Sequence, residues 1–380
     1  MKALNVHVYP SPLTHESRIL RITDALARAG IFQRIEVVGV ARDDLPSRQP
    51  LDDTRELIRV PRRLMPAREG LAGKFLRTVE WSLRVLVRLR GRRINCINAH
   101  SLAVLPLCVA ASWLTGAKLV YDTHELETET NGSKGIRQKL GRLVERLLIR
   151  YCDRVFVVGD SIADWYARAY GIARPVVVRN IPQFSGPVEH DSARLRDRLR
   201  LTGNDIVFIY QGGFLPGRGI ERLLRVFASD RRLHLVCMGS GPLQQLIADA
   251  GEASSNIHLI PPVAPDEVLA YTQAANVGLC LTENSCLSYY YSLPNKLFEY
   301  LHAGLPVIVS PLFEQEKLVR EYGCGWVAPD DDAAFLHLLQ SIDRLAIAQR
   351  RTGVASARAG LRWQDEEQRL IATYKDFVVV

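Results

Sequence analysis

Lys296 and Glu299 stand three residues apart in Leu293-Pro294-Asn295-Lys296-Leu297-Phe298-Glu299-Tyr300, between a proline that suits the first turn of a helix and Gly304, which suits its stop. Pro306 then directs the chain into an apolar strand, Val307-Ile308-Val309. The first turn of such a helix presents free N–H groups and the positive end of its dipole, and Lys296 adds a full charge. Pro294, Asn295, Lys296 and Leu297 are therefore expected to face a phosphate or diphosphate. Side chains lean toward the helix N-terminus, so Glu299 reaches back over the same place. A carboxylate beside a diphosphate is repelled unless hydroxyls approach it, and a nucleotide ribose offers two vicinal ones. The spacing points to a nucleotide diphosphate.

A second anion-seeking feature is Gln211-Gly212-Gly213-Phe214-Leu215-Pro216-Gly217-Arg218-Gly219, a glycine-rich turn between strand and helix signals, where backbone amides can approach an anion. It has neither the lysine and spacing of a P-loop nor a GxGxxG dinucleotide pattern. A turn with a solvated arginine is its alternative reading. His124, in Tyr121-Asp122-Thr123-His124-Glu125, falls at the carboxyl end of an expected parallel strand, where such sheets bind ligands. Its alternative is a structural histidine bonded to neighbouring backbone. Arg18, just after the first strand, reads as part of a helix N-terminus capped by Thr14. His100 and Ser101 end another strand of the same half. The aspartate pairs 43–44, 52–53 and 330–332 read as solvated turns, no metal ligand set is expected, and G-x-S-x-G is absent.

The run P-x-K-x-x-E-Y-x-x-x-G-x-P-V-I resembles the donor-binding signature of family 4 glycosyltransferases (glycosyl transferases group 1) of the GT-B fold. A better-known form of that signature has a second, sugar-contacting glutamate eight positions before the first; here Tyr291 stands there, which fits the branch with P-x-K-x-x-E, and Glu283 is a candidate replacement. The resemblance implies an α/β protein of two Rossmann-like domains facing across a cleft, with a C-terminal helix crossing back to the N-terminal domain. It gives Arg218 and Lys296 the donor diphosphate and its developing charge, and Glu299 the ribose. Gly212, Gly213 and Gly239 would let the nucleotide pack on backbone, and Pro262 and Val263 would flank the base. His124 would contact the sugar or stabilise the reacting centre, oriented by Asp122 or Glu125. Arg18 would, as the alternative to its place in a helix N-terminus, meet an acceptor phosphate. The implied activity is transfer of a sugar from a UDP- or GDP-linked donor to a lipid-linked or saccharide acceptor, with retention of configuration, in cell-surface polysaccharide assembly. Neither a metal nor another cofactor is implied. Two rivals stay open, a nucleotide-sugar epimerase of the same fold and a catalytically silent membrane-associated scaffold.

At 380 residues the chain is long for one core and comfortable for two. The expected domains are 1–180 on the acceptor side, 181–362 for the nucleotide sugar, and a returning helix, 363–380. Strand signals at 3–9, 35–40, 58–60, 94–99, 119–121 and 155–158 alternate with helical ones at 16–29, 71–89, 102–114 and 138–151. A second series places strands at 206–210, 234–238, 257–260, 277–281 and 307–309, with helices at 220–227, 243–250 and near 266–274. A Pro/Gly-containing joint at 180–190 precedes a charged helix at 192–199. Seven cysteines without close pairing read as buried free thiols, and the N-terminus lacks a signal-peptide pattern, so a cytoplasmic address is expected.

Charge is uneven. Residues 1–180 carry 30 Lys+Arg against 18 Asp+Glu, and residues 57–93 carry 11 basic residues against Glu69 and Glu80. In the 71–89 helix, Leu71, Phe75, Val79, Leu83 and Leu86 follow helical spacing, while Lys74, Arg77, Arg84 and Arg88 fall largely elsewhere. An anionic membrane surface is the expected partner of 71–93, with a helix packed on its own sheet as the alternative. Nucleic acid is not expected, because no recognition module accompanies the charge.

Overall fold

The computed structural model describes residues 3–14, 16–62, 70–183, 196–197, 199, 201–202, 205–264 and 267–378. His15, most of the expected 192–199 helix, and positions 265–266 lie outside them, as do the side chains of Leu71 and Lys74. The chain forms two units, Met1–Arg179 with Gln364–Val380, and Asn180–Trp363.

In the first unit eight strands form one sheet in the order β3-β4-β2-β1-β5-β6-β7-β8. They are β1 Leu4–Val8, β2 Arg34–Val40, β3 Arg48–Pro50, β4 Arg55–Val60, β5 Cys96–Ala99, β6 Lys118–Asp122, β7 Arg154–Val157 and β8 Val176–Val177. All pairs are parallel except β3 with β4. Val and Ile dominate the central strands because helices cover both faces; every residue of β1 is buried. The helices are α1 Ser17–Arg28, α2 Leu71–Leu89, α3 Leu105–Thr115, α4 Gly135–Leu148 and α5 Asp160–Tyr170. Glu16, not Thr14, precedes α1, and no side chain caps it.

The expected apolar face of α2 is corrected. Trp81, Val85 and Leu89 are the buried large apolar residues, whereas Phe75, Val79 and Leu83 are exposed. The helix is apolar over most of its circumference, so spacing alone did not say which stripe meets the sheet.

Six parallel strands make the second sheet, β9 Val207–Gly213, β10 His234–Ser240, β11 Ile257–Ile260, β12 Val277–Cys280, β13 Val307–Val309 and β14 Gly325–Val327, in the order β11-β10-β9-β12-β13-β14. Because β10 and β12 lie on opposite sides of β9, the strand order reverses there, and the crevice at the carboxyl ends of such strands is where ligands bind. Its helices are α6 Ile220–Ala228, α7 Gln244–Ala253, α8 Val268–Gln273, α9 Leu287–Tyr290, α10 Asn295–His302, α11 Phe313–Tyr322, α12 Asp332–Ser341 and α13 Arg344–Gly360. Two buried clusters hold them to the sheet, one around Leu297, Phe298 and Leu301, the other around Phe208, Phe227 and Phe335.

The last helix, α14 Trp363–Val378, extends into the segment grouped with the first unit. There Tyr374 stacks on Phe156 at 5.7 Å and meets Phe32 edge-on at 6.1 Å. Glu366 pairs with Arg179 at 3.1 Å. All seven cysteines are free, five of them buried.

Candidate functional site

In the second unit, the ends of β9 and β10 lie against each other with no room for side chains. A Cβ on Gly239 (φ +147°) would meet the Gly212 carbonyl oxygen at 2.0 Å, and one on Gly241 (φ +152°) would meet the Phe214 carbonyl at 2.6 Å. The turn before α6 is as tight, since a Cβ on Gly219 (φ +75°) would lie 2.3 Å from the Leu281 carbonyl. Glycine is required at these positions by both space and backbone angle. The result is a floor of exposed main chain, with Gly212 and Gly213 themselves open to solvent.

Two cations overlook that floor. The Lys296 ammonium lies 3.5 Å from the centroid of the Tyr210 ring, and its Cε and Nζ are 3.7 Å from where a Gly212 Cβ would be. Burial is the main cause of a Lys296 pKa pushed down to about 8; Cys280 opposes the fall, Arg218 adds to it and Glu299 opposes it. Arg218 lies over the Tyr289 ring, 4.5 Å from its centroid. Two positive charges are thus held together on aromatic faces, close enough to repel, which is an arrangement that gains when an anion arrives.

Glu299 is positioned from β9. Gln211 Nε2 donates to Glu299 Oε2, and the Thr272 hydroxyl donates to Gln211 Oε1 at 2.7 Å, fixing which way the amide points. The Gln211 N–H in turn donates to the Tyr300 hydroxyl at 2.9 Å. The expected helix start shifts by one residue: Pro294 is the extended residue before α10 (ψ 148°), not part of its first turn. Leu297 turns its side chain into the core and donates its N–H to the Pro294 carbonyl at 3.0 Å. Asn295 accepts from Asn180 Nδ2 at 2.8 Å. Pro262 is exposed just beyond β11, and Val263 packs on the cluster that contains Leu297. Glu283 is exposed beyond β12, its N–H bonded to the Gly217 carbonyl at 3.0 Å. Tyr291 packs against Tyr290 and Phe313.

His124 belongs to the first unit, on the loop after β6. Its Nε2 is 3.6 Å from Asp122 and 3.4 Å from His100 Nδ1, and its ring lies 5.6 Å from that of Tyr9. Behind it runs a buried polar chain that sequence reasoning missed. Burial keeps His100 and His7 neutral by lowering their pKa values. His100 Nδ1 then donates to Asp122 at 3.0 Å, leaving Nε2 to accept from His7 Nδ1 at 2.8 Å. His7 Nε2 accepts from Asn5 at 3.0 Å, Asn5 Oδ1 from Asn98 at 2.5 Å, and Asn98 Oδ1 from the Tyr374 hydroxyl of α14. Every donor points toward Asp122. Burial alone would raise that carboxyl, but Arg18, His100 and His124 hold it well below the ordinary range.

Arg18 is therefore corrected: it is buried and paired with Asp122 at 2.6 Å, with a further bond to the Val178 carbonyl, and is not available to an acceptor. Among the described residues, His100, Asp122 and His124 are spaced closely enough to hold a metal ion. Arg18 already places a positive charge on the carboxylate such an ion would need, so the geometry is that of a hydrogen-bonded network.

Residues 15–183 match the family described as glycosyl transferase 4-like domain, and residues 205–345 match glycosyl transferases group 1. Sucrose-phosphate synthase from Thermosynechococcus elongatus shares the fold at a TM-score of 0.81 with 16% identity, over 100% of both chains. Anabaena HepE, solved in complex with UDP, aligns at 0.71 with 15% identity over 99% of this chain and 100% of that one. WaaG, a glycosyltransferase involved in lipopolysaccharide biosynthesis, aligns at 0.68 with 17% identity over 98% and 99%. No curated protein matches the chain.

Proposed function

From the premise that this chain belongs to the group 1 glycosyltransferases and has the GT-B fold, we propose that it transfers a sugar from a UDP- or GDP-linked donor, with retention of configuration, to a lipid-linked acceptor in cell-surface polysaccharide assembly. The observation that carries the donor half is the placement of Lys296, Arg218 and Glu299 around the glycine floor of the second unit. The floor's amides and the two cations take the diphosphate. As the glycosyl bond breaks, negative charge grows on the leaving diphosphate, and cations already in place stabilise it without reorganising. Glu299, freed from Gln211 or sharing it, accepts the ribose hydroxyls. Front-face departure and attack then need positioning and electrostatics more than a protein nucleophile. The structures of HepE with UDP and with UDP-glucose, and of an E. coli protein with UDP-2-fluoro glucose, favour a uridine donor.

The acceptor half rests on the basic, partly apolar α2, which we assign to an anionic membrane surface where a lipid-linked acceptor resides. Among the described residues no helix is long and apolar enough to cross a membrane. Thermal-shift titration with UDP, GDP, ADP and dTDP, repeated on Glu299→Ala, tests the donor assignment. A shift with UDP or GDP that the variant loses is the expected result; equal shifts in both proteins would remove Glu299 from the site.

A further inference from the structure

Outside the donor site, α2, α3 and α4 carry a run of exposed large apolar side chains. On α4, Ile136, Leu140, Leu143 and Leu147 recur at steps of four, three and four residues and all point outward, Ile136 being 85% exposed. A helix that buried this stripe against its own domain would be ordinary; here Gly141 and Glu145 face inward instead, Glu145 accepting from Tyr121 at 2.6 Å and Tyr166 at 2.8 Å. The stripe is bordered by Arg137, Lys139 and Arg150, which are exposed and have no acidic partner among the described residues. The helix's only acidic residue is the buried Glu145.

The same pattern stands on α2, where Phe75 is 68% and Val87 75% exposed. α3 packs against both helices and ends in the exposed Trp113, edge-on to Tyr151 at 5.2 Å. A cavity of about 620 Å³ beside α2 is lined by Arg48, Arg59, Arg84, Arg88 and Glu80 together with Leu83 and Val87; Glu80 pairs with Arg84 at 2.9 Å and Glu56 with Arg48 at 2.6 Å, while the Nε of Arg88 is buried without a hydrogen-bond partner. Beside α4 a hollow of about 540 Å³ is lined by Lys139, Arg142 and Arg146 with Trp165 and Tyr170, Arg142 being paired with Glu129 at 2.6 Å.

We propose that α2 and α4 together form a single docking face for an anionic lipid bilayer, with their apolar stripes entering the acyl boundary and the basic hollows beside them receiving lipid phosphates. Trp113 and Tyr151 take the headgroup level, where amphipathic rings settle. A second copy of the chain would set like charge against like, since residues 1–180 carry 30 Lys+Arg against 18 Asp+Glu. A nucleic acid would meet the exposed Arg137, Lys139 and Arg150 and leave the apolar stripes in water. Only an anionic bilayer answers both. The inference rests on the contact proposed for α2 and adds α4 as its necessary second half; it does not depend on the sugar donor.

Co-sedimentation with vesicles of phosphatidylcholine, with and without phosphatidylglycerol, tests it. The wild type is expected to pellet with the anionic vesicles only, and less so at high salt. Leu140→Glu/Leu143→Glu, with α2 untouched, is expected to lower partitioning at least about tenfold. The charge variant Arg137→Glu/Lys139→Glu, at fully surface positions, should fall in the same direction. Unchanged melting and an unchanged UDP shift separate lost docking from lost folding or a lost donor site. Full binding by both α4 variants would leave α2 as the docking element by itself and overturn the two-helix face. So would a wild type that stays in the supernatant, whether as a monomer, as a dimer by light scattering, or bound to nucleic acid.

Discussion

Replacing Lys296 by methionine should stabilise the ligand-free protein while destroying its donor site. The side chain's pKa of about 8, against an ordinary 10.5, means that the folded state disfavours the charge it carries at neutral pH. At about 1.4 kcal/mol per pKa unit, that penalty is on the order of 3 kcal/mol. The ammonium recovers about 1 kcal/mol from the Tyr210 ring below it. Methionine keeps the stem and removes the charge, so a net gain of about 2 kcal/mol is expected, roughly 4–8 °C in the melting of a unit of this size.

The pH dependence gives a second handle. Between the folded value and the ordinary one, the unfolded chain holds a proton that the folded chain has lost, so wild-type stability should rise with pH over that window. The variant should lack this rise. Diphosphate binding runs the other way: it needs the charged lysine, so the UDP-induced shift should be largest below about pH 8 and fade above it, and be lost from the variant at every pH. Thermal melts near pH 7 and about pH 9.5, with and without UDP, read all of this. A variant that melts below the wild type without ligand and still shifts with UDP would refute both the strain and the role.

Arg218→Ala should lower turnover by about a hundredfold through loss of a leaving-group contact, and near-normal turnover would remove it from the site. His124→Ala should lower kcat while leaving the UDP shift intact, since its neighbours all lie in the first unit. Asp122→Asn leaves Arg18 buried without its counter-charge and should cost about 3–5 kcal/mol by denaturant unfolding. Because the folded carboxyl is held below its ordinary 3.8, the wild type has that stability above this pH and loses it as pH falls through the lower folded value; the variant should lack that part of the acid limb.

The alternation of strands and helices was legible because buried parallel strands are written as short Val/Ile runs between glycines and prolines. The α10 helix was legible from its punctuation, to within one residue at Pro294. Four things were not. Arg18 gave no sign of its partner because Asp122 is 104 residues away and the two meet only after the sheet forms. The histidine chain depends on β1 lying beside β5, an adjacency of strands far apart in sequence. The link from Gln211 to Glu299 depends on α10 returning over β9, again after distant segments meet. In α2, the outward stripe and the inward one are both apolar, so periodicity found a face and could not choose between them.

The bond from Tyr374 to Asn98 has a consequence for the order of assembly in a cell. A ribosome delivers β1, β5 and β6 early, yet the helix that completes their buried polar chain, and whose Tyr374 stacks on Phe156, is made only after the whole of the second unit. Until those residues emerge, Asn98 lacks its donor and the aromatic ring of Phe156 lacks its cover. The first unit, begun first, is therefore expected to finish last, so that a nascent chain truncated before α14 would expose a sheet face able to bind chaperones or associate with its like. Synthesis of α14, after the whole of the second unit, becomes the step that commits the first unit to the native state.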